Sequence, residues 1–144
     1  MKVVIQRVSN ASVEVENKLI SKIGQGILLL VCIESLDDSK TIELAATKIL
    51  NYRIFSDKNG KMNLNILQSE GEILAVSQFT LSWNGKKGNR PSFDNSKDPK
   101  EALSLFDEFC DHLGKIVNVK KGQFGEHMNV SLSNDGPVTF SFEY

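Results

Sequence analysis

The segment that most constrains the fold is Asn134-Asp135-Gly136-Pro137-Val138-Thr139, near the end of the sequence. It separates two stretches of alternating apolar and polar residues, 127–133 and 138–144. Asp-Gly between two such stretches predicts a tight β-hairpin. The proline removes one backbone donor and fixes φ at about −65°, which an ordinary hairpin does not need. We therefore expect a stiff turn, either a plain hairpin tip or bare backbone presented to a closely approaching group.

The size and composition of the chain predict one globular domain over residues 1–144, with 40% hydrophobic and 24% charged residues. Its longest apolar run, 26–33, is much shorter than the roughly 20 residues that span a bilayer. The N-terminal residues begin a strand and lack the anatomy of a signal peptide. We therefore predict a cytoplasmic protein that does not enter a membrane. The net charge of −1 argues against a broad nucleic-acid-coating face, but not against binding to a short nucleic-acid end.

Strand-like and helical patterns alternate along the chain, which predicts a single α+β domain with two main helices. The helices are expected from Asp37-Asp38 to about 51 and from the Asp98-Pro99 start to Gly114. Strands are expected at 2–8, 12–16, 19–23, 27–33, 62–66, 72–81 and 116–119. Arg7 interrupts the first strand, and the local pattern alone predicts a solvated edge residue.

The sequence contains none of the usual catalytic or metal-binding sets. Cys32 and Cys110 have no cysteine or histidine at ligand spacing, so we predict buried free thiols and no metal or cofactor. There is no Gly-x-Ser-x-Gly motif, no convincing Ser-His-Asp or Cys-His set, and no pair of carboxylates that stands out. An enzyme built from this chain suits a substrate that is already reactive, which it would position and stabilise with backbone N–H groups.

Polar side chains follow an apolar strand in Ser77-Gln78-Phe79-Thr80-Leu81. Strand ends open onto loops, where functional sites are commonly built. The long polar loop 82–97 comes next and carries Lys86, Lys87 and Arg90 beside aromatic residues. Such a loop suits a ligand made of phosphates and bases, and it fits a solvated loop without a function equally well.

The motif 77–81 and the motif 134–139 together resemble the signature pair of the D-aminoacyl-tRNA deacylases. The resemblance covers nearly the whole chain and includes three further stretches: Val4-Ile5-Gln6-Arg7-Val8, Lys87-Gly88-Asn89-Arg90-Pro91-Ser92-Phe93, and Gly122-Gln123-Phe124-Gly125 with Met128. One departure is Glu126-His127, where the family pattern has Ala-Asp. It flanks the site and puts little of the chemistry in doubt.

The resemblance implies an enzyme that hydrolyses the ester between a D-amino acid and the terminal ribose of tRNA, as chiral proofreading in translation. It implies a homodimer with a mainly antiparallel, barrel-like β core, in which the turn of one subunit enters the pocket of the other. A backbone wall would exclude L side chains by collision. Glycine has no side chain to exclude, so glycyl-tRNA is implied as a second substrate.

The resemblance also implies roles for individual residues. Ser77, Gln78, Phe79 and Thr80 would form the catalytic pocket, with the N–H groups of Phe79 and Thr80 as oxyanion donors. We expect Thr80 to position the substrate while the ribose 2′-OH assists water, because no base is evident to activate the hydroxyl. Chiral selection is assigned to a cis Gly136–Pro137 turn with Asn134, Val138 and Thr139, braced by Arg7. The tRNA end would meet Phe124, Gly125 and Met128 at the adenine and Lys86, Lys87 and Arg90 at the phosphates.

Other classes of function remain open at this point. A non-catalytic module could bind the charged tRNA acceptor end without turnover. A related deacylase for another mischarged pair would carry a trans Gly–Pro turn and a changed Ser-Gln-Phe-Thr stretch, and the presence of Phe79 favours the D-specific branch. A purely structural oligomer has no need of a polar strand end.

Overall fold

A six-stranded mixed sheet forms the centre of the fold, with strand order β2-β1-β3-β6-β7 and β8 paired to the other side of β1. The computed structural model describes residues 1–86 and 88–144. The sheet strands are β1 (Lys2–Val15), β2 (Lys18–Ile23), β3 (Gly26–Cys32), β6 (Glu72–Ser77), β7 (Val119–Lys121) and β8 (Asn129–Glu143). A separate two-stranded ribbon consists of β4 (Phe55–Ser56) and β5 (Met62–Leu64).

The predicted α+β class with a mainly antiparallel, barrel-like β core is confirmed. β1 runs antiparallel to β2, β3 and β8, whereas the β3–β6 and β6–β7 pairs are parallel. β3 is the centre of the sheet and is almost wholly buried, as its continuous apolar sequence predicts. The two strands expected at 2–8 and 12–16 are instead the single strand β1, because β8 pairs with β1 along its whole length.

Two helices cover one face of the sheet: α1 (Ser39–Leu50) and α2 (Pro99–Gly114). Both begin at the predicted acidic caps, where Asp38 accepts a hydrogen bond from the N–H of Thr41 (2.9 Å) and Asp98 accepts one from the N–H of Lys100 (3.0 Å). Their apolar faces join β1, β3 and β6 in one core cluster. No helix in the described part of the chain is long and apolar enough to cross a membrane.

The other face of the sheet has its own, smaller core. The second half of β1 curls over with β2, so that Val13 and Ile23 pack against Leu28 and Leu74. This curl gives the sheet its barrel-like form. The predicted buried thiols are also confirmed, since Cys32 and Cys110 are both free and buried. Burial raises the pKa of the Cys110 thiol to about 12.

The hairpin predicted from Asp135-Gly136 is wrong. The stretches 127–133 and 138–144 do not pair with each other but lie end to end in β8, each paired with a different part of β1. β1 is long enough to satisfy the backbone of both stretches, so the chain passes through the turn without reversing. The Gly-Pro segment is therefore an interruption inside a strand.

Candidate functional site

The polar end of β6 turns into a short helix that opens one end of the sheet. β6 ends at Ser77, which pairs with Val31, and the predicted strand over 72–81 is too long. The N–H of Gln78 still donates to the carbonyl of Val31 (2.7 Å). The chain then forms a 3₁₀ helix, Phe79–Ser82, because the N–H of Leu81 finds its acceptor in the carbonyl of Gln78 (3.2 Å) rather than across the sheet.

The backbone N–H groups of Phe79 and Thr80 lie at the start of this 3₁₀ helix. Residues at a helix start have no acceptor within the helix. Among residues 1–86 and 88–144, neither N–H has a hydrogen-bond acceptor. The two groups are thus available to a ligand, as the oxyanion role requires.

Cys32 lies beside the peptide that carries one of these groups. Its sulfur lies 3.5 Å from the carbonyl oxygen of Phe79 and 3.8 Å from both the carbonyl oxygen of Ile33 and Oγ of Ser96. Burial raises the pKa of the thiol, so it stays protonated. The carbonyl of Phe79 and the N–H of Thr80 belong to one planar trans peptide and point in opposite directions. Because the carbonyl faces buried Cys32, the N–H of Thr80 faces away from this thiol.

A cavity of about 460 Å³ opens beside the 3₁₀ helix. It is bordered by the end of β3, the segment 93–99 and the first turns of α2, and most of its surface is apolar. Two aromatic pairs border it, Phe79 with Phe93 (ring centroids 5.0 Å apart) and Phe106 with Phe124 (6.0 Å). The lining residues are Val31, Ile33, Ser77, Gln78, Phe79, Phe93, Ser96, Lys97, Asp98, Pro99, Ala102, Phe106, Phe124 and Gly125.

Thr80 is held by an amide rather than by a base. The side-chain Nε2 of Gln78 donates to Oγ1 of Thr80 at 2.5 Å. Within the described residues, no histidine or carboxylate hydrogen-bonds to the Thr80 hydroxyl. Asp98 is the one carboxylate among the lining residues that the structure describes, and it accepts the N–H of Lys100 as a helix cap. Ser77, Gln78 and Phe79 line the cavity, whereas Thr80 is exposed and is not among its described lining residues. No described histidine or carboxylate is placed to deprotonate the Thr80 hydroxyl.

The Gly136–Pro137 segment bulges from the ladder between β8 and β1. Residues 135–138 lie opposite a single β1 residue, Arg7, between the pairs Val8–Asn134 and Gln6–Thr139. The Gly136–Pro137 bond is cis, as the resemblance implies, and Gly136 has a φ of 139°. The bulge is closed by the N–H of Val138, which donates to Oδ1 of Asn134 (2.7 Å).

Arg7 lies under this bulge, and the prediction of a solvated edge residue is wrong. The residue is only 8% exposed. Its Nε donates to the carbonyl of Asp135 (3.0 Å), and its Nη1 donates to the carbonyl of Ile54 (2.6 Å). The Asp135 carboxylate lies 3.2 Å from Nε. Arg7 is buried because it satisfies two backbone carbonyls, that of Asp135 in the bulge and that of Ile54, which lies outside the β1–β8 ladder.

The bulge and the cavity lie at opposite ends of the sheet in one chain. Arg7 pairs with Ile27 of β3, whereas Ser77 pairs with Val31, four residues further along the same strand. At about 3.3 Å per residue this is a separation of roughly 13 Å along the strand. Of the described residues that line the cavity, none belongs to 134–139. A single chain therefore does not bring the two predicted motifs together.

The remaining predicted residues are divided among different places. Phe124 and Gly125 line the cavity, but Met128 does not, because it packs against the core on the opposite face of the sheet. Lys86 and Arg90 are exposed in the loop that follows the 3₁₀ helix. Lys87, predicted to bind phosphate, lies outside the described residues.

Sequence reasoning missed several cavity residues. Phe106 is a buried apolar residue of α2, and its helical spacing gives no sign that it also faces the cavity. Phe93 had one available signal, since a large apolar side chain in a polar loop needs a packing partner. The described residues contain no cluster of three His, Cys, Asp or Glu side chains that could hold a metal ion.

Comparison with known families gives a match over almost the whole chain. Residues 4–143 match the family model described as D-Tyr-tRNA(Tyr) deacylase. The chain is 53% identical over 136 residues to the D-aminoacyl-tRNA deacylase of Histophilus somni (strain 2336), covering 94% of each. It is 52% identical over 137 residues to the D-aminoacyl-tRNA deacylase of Thermodesulfovibrio yellowstonii, again covering 94% of each.

Solved structures agree on the fold. The structure of c-Myc DNA Unwinding Element Binding Protein superposes with a TM-score of 0.95 at 41% identity, covering 100% of this chain and 99% of that one. A probable eukaryotic D-amino acid tRNA deacylase superposes with a TM-score of 0.84 at 19% identity, covering 98% and 97%, which is a similarity of fold.

Proposed function

Because the chain belongs to the D-Tyr-tRNA(Tyr) deacylase family, we propose that it is a cytoplasmic enzyme that hydrolyses the ester of D-aminoacyl-tRNA and of glycyl-tRNA. The observation that carries the proposal is the cavity beside Phe79–Ser82, where two backbone N–H groups have no acceptor among the described residues. An aminoacyl ester is activated, so such a site needs little acid–base equipment. Water attacks the ester carbonyl, the N–H groups stabilise the oxyanion, and the ribose 3′-oxygen leaves.

The L-excluding wall comes from a second copy of the chain. The Gly136–Pro137 bulge is exposed and lies too far along the sheet to border the cavity of its own chain. In a two-fold homodimer each bulge would enter the other cavity, where the Gly136 and Pro137 carbonyls hold the α-amino group of the substrate. An L side chain then collides with backbone, while a D side chain points outward. The presence of Phe79 favours this D-specific arrangement over a related deacylase.

Thr80 positions the substrate, and the ribose 2′-OH assists the attacking water. We expect Thr80→Ala to retain D-ester hydrolysis, because Gln78 already occupies an acceptor site of the hydroxyl and no described residue is placed to remove its proton. We expect a 2′-deoxy substrate to react about tenfold more slowly, the equivalent of one lost hydrogen bond. Single-turnover rates measure both. An inactive Thr80→Ala variant that still binds substrate would indicate that Thr80 is the nucleophile. An unchanged rate on the 2′-deoxy ester would refute a role for the 2′-OH.

Arg7 braces the bulge from below, so Arg7→Ala should weaken chiral selection. We expect the D-over-L ratio of kcat/KM to fall by about tenfold and unfolding to become easier by about 1–3 kcal/mol, because the buried Ile54 carbonyl loses its donor. Arg53→Ala is the matched control, since Arg53 also donates to a backbone carbonyl, that of Asn63 (2.7 Å), without contacting the bulge. Equal D-over-L ratios of kcat/KM in both variants would refute the bracing role of Arg7.

The acceptor end of tRNA is held at its terminal adenine and its phosphates. The aromatic surface around Phe124 and Gly125 is suited to the adenine. Lys86 and Arg90, with Lys87 as a further candidate, would meet the phosphates. We expect the double variant Lys86→Gln/Arg90→Gln to raise KM and to flatten the salt dependence by about 0.7 per lost phosphate contact. Lys58→Gln, an exposed lysine on another turn, should change neither, and identical salt slopes for all three proteins would refute the contacts.

The direct test of the function is deacylation of D-tyrosyl-tRNA, L-tyrosyl-tRNA and glycyl-tRNA by the purified protein. We expect rapid loss of the D-ester and of the glycyl ester, with the L-ester spared. Loss of both stereoisomers at equal rates would leave an esterase without chiral selection. Tight binding of charged tRNA with no loss of any ester would leave a binding module for the acceptor end.

A further inference from the structure

A second cavity of about 390 Å³ lies on the other side of the segment that contains Phe93. The segment 92–94 separates the two cavities: Phe93 lines the first, while its neighbours Ser92 and Asp94 line the second. The 3₁₀ helix also contributes to both, through Phe79 in the first and Ser82 in the second. The second cavity is lined by Ser82, Trp83, Asn84, Lys86, Ser92, Asp94 and Asn95.

The lining of this second cavity has the groups that bind a nucleotide. Trp83 is 41% exposed, which leaves a large aromatic surface open to a stacked base. Lys86 adds a positive charge at its edge. The hydroxyl of Ser82 is buried and has no hydrogen-bond partner within the described residues.

The polar groups of the cavity favour a base that carries an amino group beside an acceptor. Oδ2 of Asp94 accepts from the hydroxyl of Ser92 (2.5 Å), and no described residue donates to Oδ1. Oδ1 of Asn84 accepts the N–H of Lys86 (3.1 Å), so its amide N–H₂ remains a donor. A base that fits must therefore offer a donor to the carboxylate and an acceptor to the amide. Cytosine offers both, with its N4 amino group beside its N3 acceptor, and adenine offers the same pair with N6 and N1, whereas uracil in the same orientation places its O4 acceptor against the carboxylate.

We propose that this cavity binds the cytosine nucleotide that precedes the terminal adenosine of tRNA. The proposal rests on the proposed function, which places the terminal adenosine in the first cavity, one side chain away. All tRNAs end in the same CCA sequence, so a cytosine subsite serves every charged tRNA. The base stacks on Trp83, its amino group donates to Asp94, and Lys86 contacts the phosphodiester between the two nucleotides.

Trp83 reports on this binding directly, because it is the only tryptophan of the chain. The probes are the dinucleotides CpA and UpA, titrated while tryptophan emission is recorded. We expect CpA to quench the emission with an affinity about fivefold higher than UpA, and Asp94→Asn to remove this preference. Asp111→Asn is the matched control: it neutralises one exposed aspartate far along α2 and should keep the preference. Unchanged emission with CpA, or an equal response to both dinucleotides, would overturn the proposal.

A kinetic test separates failure of the subsite from failure of the deacylase. The substrates are D-tyrosyl esters of adenosine, CpA and UpA. We expect kcat/KM for the CpA ester to exceed that for the adenosine ester by about tenfold, mostly through KM, and this ratio to approach one in Trp83→Ala. Equal kcat/KM values for the CpA and adenosine esters in the wild type would overturn the cytosine subsite but leave the deacylase proposal unaffected. Quenching by CpA with no cleavage of any ester would support the subsite and contradict the deacylase.

Discussion

Phe79→Pro lowers kcat for D-aminoacyl esters by about 10²–10³-fold relative to Phe79→Ala, the effect of removing one oxyanion donor. Both variants lose the phenyl ring, so their difference isolates the backbone N–H of residue 79. That N–H has no acceptor among the described residues, and its loss breaks no hydrogen bond of the fold. Proline also fits the first position of a helical turn, and Gln78 before it (φ −144°, ψ 74°) lies outside the α region that a following proline disfavours.

The comparison requires two measurements on both variants. Thermal unfolding should give similar midpoints, which shows that proline is accommodated. Single-turnover rates should then differ, with KM affected much less than kcat, because an oxyanion donor acts on the transition state rather than on bound substrate. Similar rates for Phe79→Pro and Phe79→Ala would mean that the ester oxygen is stabilised elsewhere.

Gly136→Ala admits L-esters, and we expect the D-over-L ratio of kcat/KM to fall by about 10²-fold, the cost of a misplaced positioning group. A Cβ at this position would lie 2.6 Å from Cγ2 of Val138 and 3.2 Å from Nη2 of Arg7. The φ of 139° is also a conformation that an alanine rarely adopts. The backbone of the bulge must therefore move, and the proposed wall loses the position at which it would exclude an L side chain.

Gly60→Ala is the matched control for this prediction. Gly60 also has a positive φ, 75°, but a Cβ there would meet nothing within 4 Å. Both variants carry the cost of a left-handed alanine, about 1–3 kcal/mol. Rates on D- and L-tyrosyl-tRNA should separate them, with selectivity lost in Gly136→Ala alone. Intact selectivity in Gly136→Ala would contradict the claim that the bulge excludes L side chains.

Local sequence patterns predicted the elements whose structure is decided locally. The acidic caps Asp38 and Asp98 and the apolar run of β3 all lie where the sequence placed them. The hairpin prediction failed because an Asp-Gly pair indicates a turn but does not determine which strand the flanking residues pair with. Whether β8 folds back on itself or follows β1 depends on the length of β1, at the other end of the chain.

The candidate site was predicted in parts. The Ser-Gln-Phe-Thr motif marked the end of β6, and the resemblance added the Gly-Pro turn. The local pattern could not predict that Arg7 is buried, because its hydrogen-bond acceptors are the carbonyls of Ile54 and Asp135, which are distant in sequence. Nor could it show that the two motifs lie at opposite ends of one sheet, since this separation follows from the register between β1, β3 and β6.

That separation leads to the central claim: each site combines the cavity of one chain with the Gly136–Pro137 wall of another. The most direct test uses mixed dimers of the wild type and the double variant Phe79→Pro/Gly136→Ala. The wild type excludes L-esters, and the double variant has a defective cavity. In a mixed dimer, the intact cavity receives the defective wall. We predict that hydrolysis of L-tyrosyl-tRNA appears only after the two proteins exchange subunits. Subunit exchange without any L-ester hydrolysis would contradict a wall supplied across the dimer.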